Sequence, residues 1–281
     1  MPFAQRVLVL VPLFLCLAAS AKETAFDEFV ATERAFAAQG AKEGVRASFL
    51  AYMADDALVY RPGPVNAKAF YEKRPEGKGK LIWGPRHALP SGAGDLGITT
   101  GPWQFVAPDQ GDQVLGTGWF FSVWRRGADG KLHWVIDHGI EAPIEGLAKD
   151  ATLLGDAIRQ AKPIGTFAHD QRLNALLAAD RKLGDKGAGD PKARLAQVLD
   201  AESICLVNGA KPDPGCVASE AGKLGFDGAR TLAAVHVAAS GDLGVTSGFT
   251  GGEKPDSDVR AWRYREGTGW RLIAVVMVPG G

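Results

Sequence analysis

Three titratable side chains, His133, Asp137 and His138, fall on one strand-like segment, Leu132–Ile140. Side chains alternate along a strand, so His133 and Asp137 share one face and His138 takes the other. His138 then lies with Leu132, Trp134 and Ile136, an apolar face that reads as interior. A neutral imidazole there can transfer a proton or hold a ligand by a hydrogen bond, and Asp137 is a second acid–base candidate. The plainer reading of His138 is a satisfied histidine at a sheet end. Glu33 is the third catalytic candidate. It sits on the helical stripe Phe26, Phe29, Val30 and Phe36, where a carboxylate is costly unless paired. It serves either as a base at a pocket wall or as an anchor bonded to donors of the core.

Tyr60, Trp83, Trp103, Trp119, Phe121 and Trp134 form an aromatic set suited to lining a cavity. With His87 and His138 they are the expected ligand-binding residues. Most strand aromatics are core, so only two or three of them are expected to reach a pocket. No metal site is expected, because His87, His133 and Asp137 lack any recognised ligand spacing. The G-x-S-x-G elbow, the phosphate-cradling G-x-x-x-x-G-K loop and the H-E-x-x-H pair are absent, and no cofactor is expected.

The elements that must position these residues occur twice. Gly94-Asp95-Leu96-Gly97-Ile98-Thr99-Thr100-Gly101 recurs as Gly241-Asp242-Leu243-Gly244-Val245-Thr246-Ser247-Gly248, an offset of 147. The stripe carrying Glu33 recurs at the same offset as Leu173, Leu176, Leu177, Asp180 and Leu183. Asp180 thus stands where Glu33 stands, in a half that lacks the other pocket-type residues, which favours the anchoring role. Trp124-Arg125 matches Trp262-Arg263 at offset 138, so the later copy has shorter loops. Five of the seven tryptophans lie in the first copy; the second copy's cavity is expected to be smaller, filled or absent.

Each copy reads as helices followed by strands, an α+β order. In the first, helices over 26–39 and 45–53 precede a strand at 57–61 and a short helix capped by Asn66. Strands follow at 81–87, 96–105, 114–126 and 132–140, the last two joined by a turn at Gly127–Gly130. An antiparallel sheet that curls around helices makes an open cone, and Gly97, Gly101, Gly116 and Gly118 are placed to bend it. The fold expected is two tandem α+β cones: a domain over 22–145, a linker over 146–168 with a short helix left open near 148–161, and an eroded domain over 169–281.

Arg6, the apolar run Val7–Ala18 and Ala19-Ser20-Ala21 read as a secretory leader over 1–21 cleaved after Ala21, which places the chain in the periplasm or outside the cell. No later run is long enough to span a membrane. Cys205 and Cys216 remain; an even count in an oxidising compartment favours a disulfide over two free thiols. Acids and bases balance at 32 each, so no basic surplus supports nucleic-acid binding. A homodimer through the exposed sheet faces stays open.

Tyr60-Arg61-Pro62-Gly63, the Gly-Asp-Leu-Gly-x-Thr-Thr-Gly-x-Trp stretch, and Phe121-Ser122-Val123-Trp124-Arg125-Arg126 followed by Trp134-Val135-Ile136-Asp137 resemble the nuclear-transport-factor-two-like superfamily, in its SnoaL-like branch. The resemblance covers most of 24–143. It implies a cone fold shared by isomerase-like and cyclase-like enzymes and by members that only bind ligands, so it does not choose a function. Three readings stand: a binder of a small, partly apolar molecule; a cofactor-independent isomerase, cyclase or hydrolase; and an interaction module.

Overall fold

The computed structural model describes residues 24–147, 152–154, 169–185, 187, 189–216 and 230–280. The leader expected over 1–21 lies outside them, as does most of 148–161. Helix α1 (Ala25–Glu43) starts at a capping box in which the Thr24 side chain accepts from the Asp27 N–H, and the Asp27 carboxylate accepts from the Thr24 N–H. It buries Phe29, Val30, Glu33 and Phe36, the face read from their spacing. Helix α2 (Val45–Tyr52) leads straight into strand β1 (Met53–Tyr60). After β2 (Pro64–Asn66), helix α3 (Ala67–Lys73) is capped by Asn66, whose side chain accepts from the Ala69 N–H at 2.9 Å.

The strand expected at 81–87 is two strands, β3 (Lys80–Trp83) and β4 (His87–Pro90). Then come β5 (Leu96–Ala107), β6 (Gln113–Arg126), β7 (Leu132–Glu141) and β8 (Thr152–Leu153). The sheet runs β2-β1-β7-β6-β5-β4-β8, with β3 also on β5. It is mixed rather than purely antiparallel, because β1 lies parallel to β7 and β8 parallel to β4. Neither pair is joined by a hairpin, so nothing imposes the antiparallel sense. Strand β8 comes from the expected linker, which therefore contributes to the first sheet.

The later half repeats the order: α4 (His169–Gly184), α5 (Pro191–Val198), β9 (Leu199–Val207), β10 (Asp213–Pro214), β11 (Arg230–Val237), β12 (Leu243–Thr250), β13 (Ser257–Arg265) and β14 (Gly269–Val278). Its sheet runs β10-β9-β14-β13-β12-β11. The registers superpose: Gly97 faces Trp124 and Gly244 faces Trp262, while Trp83 faces Trp103 and Arg230 faces Thr250. Cys205 and Cys216 form a disulfide across a sequence separation of 11, closing the β9–β10 turn onto the second helix-side core. No helix among the described residues is long and apolar enough to cross a membrane.

The two sheets pack face to face. One buried cluster joins Leu89, Ile98, Phe121 and Ile136 to Leu206, Val245, Val259 and Val276, and each sheet carries its helices on the opposite side. The sheet face considered for a homodimer is thus covered by the chain's own other half. The repeated motif explains itself here. Asp242 accepts from the Gly92 N–H and Asp95 from the Ala239 N–H, both at 2.8 Å, a reciprocal latch of the kind two-fold symmetry produces. A Cβ on Gly97 would stand 2.2 Å from the Phe29 ring, and one on Gly244 2.6 Å from Leu176, so these glycines seat the first helix of each half. Gly101 lets the Gly84 carbonyl approach, and Gly248 that of Thr231. Close approach, rather than bending, is what these positions require.

Candidate functional site

A cavity of about 690 Å³ opens in the first half, between the helices and the concave face of the sheet. Its apolar wall comes from Leu81, Trp83, Trp103, Phe105, Leu115 and Phe120. Its charged and titratable lining comes from Arg61, Arg74, Asp137, His138 and Glu141. Asn208, Ser257 and Val278 of the second half complete the lining.

Of the eight expected ligand-binding residues, Tyr60, Trp83, Trp103 and His138 line this cavity. Phe121 is fully buried between the sheets and Trp119 packs on that same cluster, so both face away from it. The neighbour Phe120 reaches it instead, because strand parity puts 119 and 121 on one face and 120 on the other. Trp134 is buried in the helix-side core, edge-on to Phe49 at 5.7 Å. His87 stacks on Trp119 with ring centroids 6.3 Å apart; burial, helped by Arg86, lowers its pKa to about 4.

Asp137 faces the cavity and accepts from the Ser122 hydroxyl at 3.1 Å. Burial and then the nearby Glu33 carboxylate raise its pKa to about 7, against the opposing pull of Arg61 and Ser122. His133 lies apart, bonded to Asp129 in the hairpin at 3.1 Å. The expected face-sharing of His138 with Trp134 fails because of a β-bulge. Val123 pairs with Ile136 and Trp124 with Trp134, which leaves Val135 as the extra residue and reverses the alternation. His138 stacks on Tyr60 at 4.5 Å and bonds through Nε2 to the Ser257 hydroxyl at 3.0 Å. Its Nδ1 lies 2.8 Å from the Gly139 nitrogen and 3.2 Å from the Gly139 carbonyl oxygen. Burial lowers its pKa to about 4, so the ring is neutral.

Glu33 does not line the cavity. Trp83 Nε1 donates to it at 2.7 Å, Thr99 Oγ1 at 2.6 Å and Trp124 Nε1 at 3.0 Å. Burial raises its pKa, against these three hydrogen bonds. Asp180 repeats the arrangement: Thr246 donates at 2.8 Å, and Arg230, in the register position of Trp83, donates at 2.6 Å. Arg230 also holds Asp258, which replaces Phe120, and Arg260 bridges Asp180 and Asp258 at 3.1 and 3.2 Å. Ion pairs therefore occupy in the second half the positions that wall the cavity in the first. Among the described residues no group of three or more His, Cys, Asp or Glu is placed to hold a metal.

Arg61, Arg74, Phe120, Asn208 and Ser257 were missed by sequence reasoning. Strand parity carried a signal for Phe120. The two arginines lie outside the strands, and the last two come from the other half, so no local pattern marks them.

No family model and no curated protein matches the chain. Among solved structures it is similar to a nuclear transport factor 2-like superfamily protein from Salmonella enterica, at 17% identity and a TM-score of 0.35, over 46% of this chain and 99% of that one. It is similar to a Δ5-3-ketosteroid isomerase from a Mycobacterium species at 20% identity and a TM-score of 0.31, over 39% and 90%. It is also similar to a protein of cystatin-like fold from Novosphingobium aromaticivorans at 12% identity and a TM-score of 0.34, over 47% and 85%.

Proposed function

We propose that the first half binds one small, partly apolar molecule and that the second half completes the binding wall and keeps the sheet face covered. The observation that carries this is the aromatic-walled cavity with a few polar groups in its lining, a volume within the range of about 300–1,000 Å³ of ligand sites. The test is a thermal-shift screen of the mature chain against lipids, steroids and aromatic acids, followed by calorimetry of each hit. A ligand that binds the native state raises the melting point. One molecule bound per chain is expected, with binding lost in Gly116→Leu. A Cβ at Gly116 meets only the Trp103 ring, at 3.6 Å, so the new side chain enters the cavity without a backbone clash. No hit across the panel, or binding unaffected by Gly116→Leu, contradicts the proposal.

A second reading, acid–base chemistry on the bound molecule, is favoured by Asp137, which titrates near neutrality inside the cavity. Its expected signature is turnover lost in Asp137→Asn with binding retained. Action outside the cytoplasm belongs to the same proposal: the leader-like first residues and the Cys205–Cys216 bond both support it. The expected N-terminus of exported protein is Lys22, read by intact mass.

A further inference from the structure

We infer that the cavity takes an apolar carboxylate, with its acid group on Arg61 and Arg74 and its body among the aromatic side chains. This rests on the small-molecule reading above and adds the charge of the ligand. Both arginines line the cavity, and both guanidinium groups lie within 6 Å of the Phe70 ring centroid, at 5.4 and 5.8 Å. Four other arginines of the chain are paired with acids: Arg125 with Asp56 at 2.8 Å, Arg126 with Glu28 at 2.7 Å, Arg263 with Glu202 at 3.1 Å and Arg265 with Asp200 at 2.7 Å. Arg61 and Arg74 make no close ion pair of this kind among the described residues; Arg61 Nη1 donates to the Tyr60 carbonyl at 2.6 Å, its side chain hydrogen-bonds Tyr71, and its charge acts on Asp137 from farther off.

Two acids share the lining. Asp137 is engaged with Ser122, and Glu141 sits at the edge shared with the second half, where its backbone N–H donates to Asn208 at 2.8 Å. A ligand oriented with its acid toward Phe70 meets two planar donors suited to a carboxylate fork. Its apolar body then covers Trp83, Trp103 and Phe120, and a hydroxyl or carbonyl on that body can reach Asp137.

The test is calorimetry on the full mature chain with 2-naphthoate, cholate and decanoate, each beside its neutral amide. At least one acid is expected to bind about tenfold or more tightly than its amide, as charge-assisted hydrogen bonds allow. Arg61→Gln combined with Arg74→Gln should abolish that difference by lowering the affinity of the acid to that of its amide. Both side chains are exposed, so the variant is expected to fold. Equal binding of acids and amides by the unaltered protein overturns the carboxylate inference and leaves the small-molecule reading standing. A double variant that weakens acid and amide alike overturns it too. Binding of neither set overturns both.

Discussion

At Glu33 three donors from β3, β5 and β6 meet one fully buried carboxylate, and this fixes the seat of α1 on the sheet. Removing the acceptor leaves the Trp83 indole N–H and the Thr99 hydroxyl to find new partners, while the Trp124 indole keeps Thr99 Oγ1 at 2.8 Å. Glu33→Ala is therefore expected to cost about 3 kcal/mol in urea unfolding, and Glu33→Gln clearly less. Ligand affinity in Glu33→Gln should be close to unchanged; a stable variant that has lost binding would return Glu33 to the site. Asp137 behaves oppositely. Unfolded, it gives up its proton near 3.8; folded, it keeps it to about 7. The native state thus binds more protons between those values, and this group's contribution to stability falls as the pH rises through that window. Asp137→Asn should raise stability near pH 8 by about 1–3 kcal/mol and change it little near pH 4, measured by urea melts at both. A variant less stable near pH 8 would show that the carboxylate is not penalised by its surroundings.

Among the elements, the glycine that seats the first helix differs in tolerance between the halves. Gly97→Ala drives a methyl into the Phe29 ring, whereas Gly244→Ala first meets a flexible leucine terminus. Gly97→Ala is expected to cost about 1–3 kcal/mol and Gly244→Ala less, by thermal or chemical unfolding. Breaking the disulfide with Cys205→Ala and Cys216→Ala together should cost about 3 kcal/mol in the chain-entropy account of a loop this short. Element type was readable from the residues, since the stripe of α1, the Asn66 cap and the Gly127–Gly130 turn are local signals. Strand faces were less readable. One extra residue at Val135 reversed the parity of β7; Gly97 looked like a bend, and Asp95 only like part of a repeat, because the partners that explain them, Phe29 and Ala239, are remote in sequence.

In the whole molecule, duplication has let one half specialise. The first keeps aromatic walls around a hollow; the second puts Arg230 and Asp258 in the positions of Trp83 and Phe120 and ties Asp258 to Arg260, where breaking one ion pair strands the others. The second half still supplies Asn208, Ser257 and Val278 to the cavity, and its sheet buries Phe121, Val123 and Ile136 of the first. Residues 22–147 expressed alone should therefore self-associate through that apolar face and bind ligand more weakly, as read by light scattering and calorimetry. A monomeric fragment with full affinity would reduce the second half to a bystander. Sequence reasoning could see that the second copy lacked tryptophans, but not that charged side chains take their place, because Arg230 aligns with Trp83 only once the strand registers are known.

The hollow in one half and the filled interior in the other can be located directly. Crystals of residues 22–281 soaked with 4-iodobenzoate, and separately with 4-iodobenzamide, report iodine positions by anomalous scattering. The account predicts iodine among Trp83, Trp103 and Phe120 for at least one of the two compounds, and none around Arg230 and Asp258. Iodine inside the second half, or an unoccupied first cavity with both compounds, would contradict it.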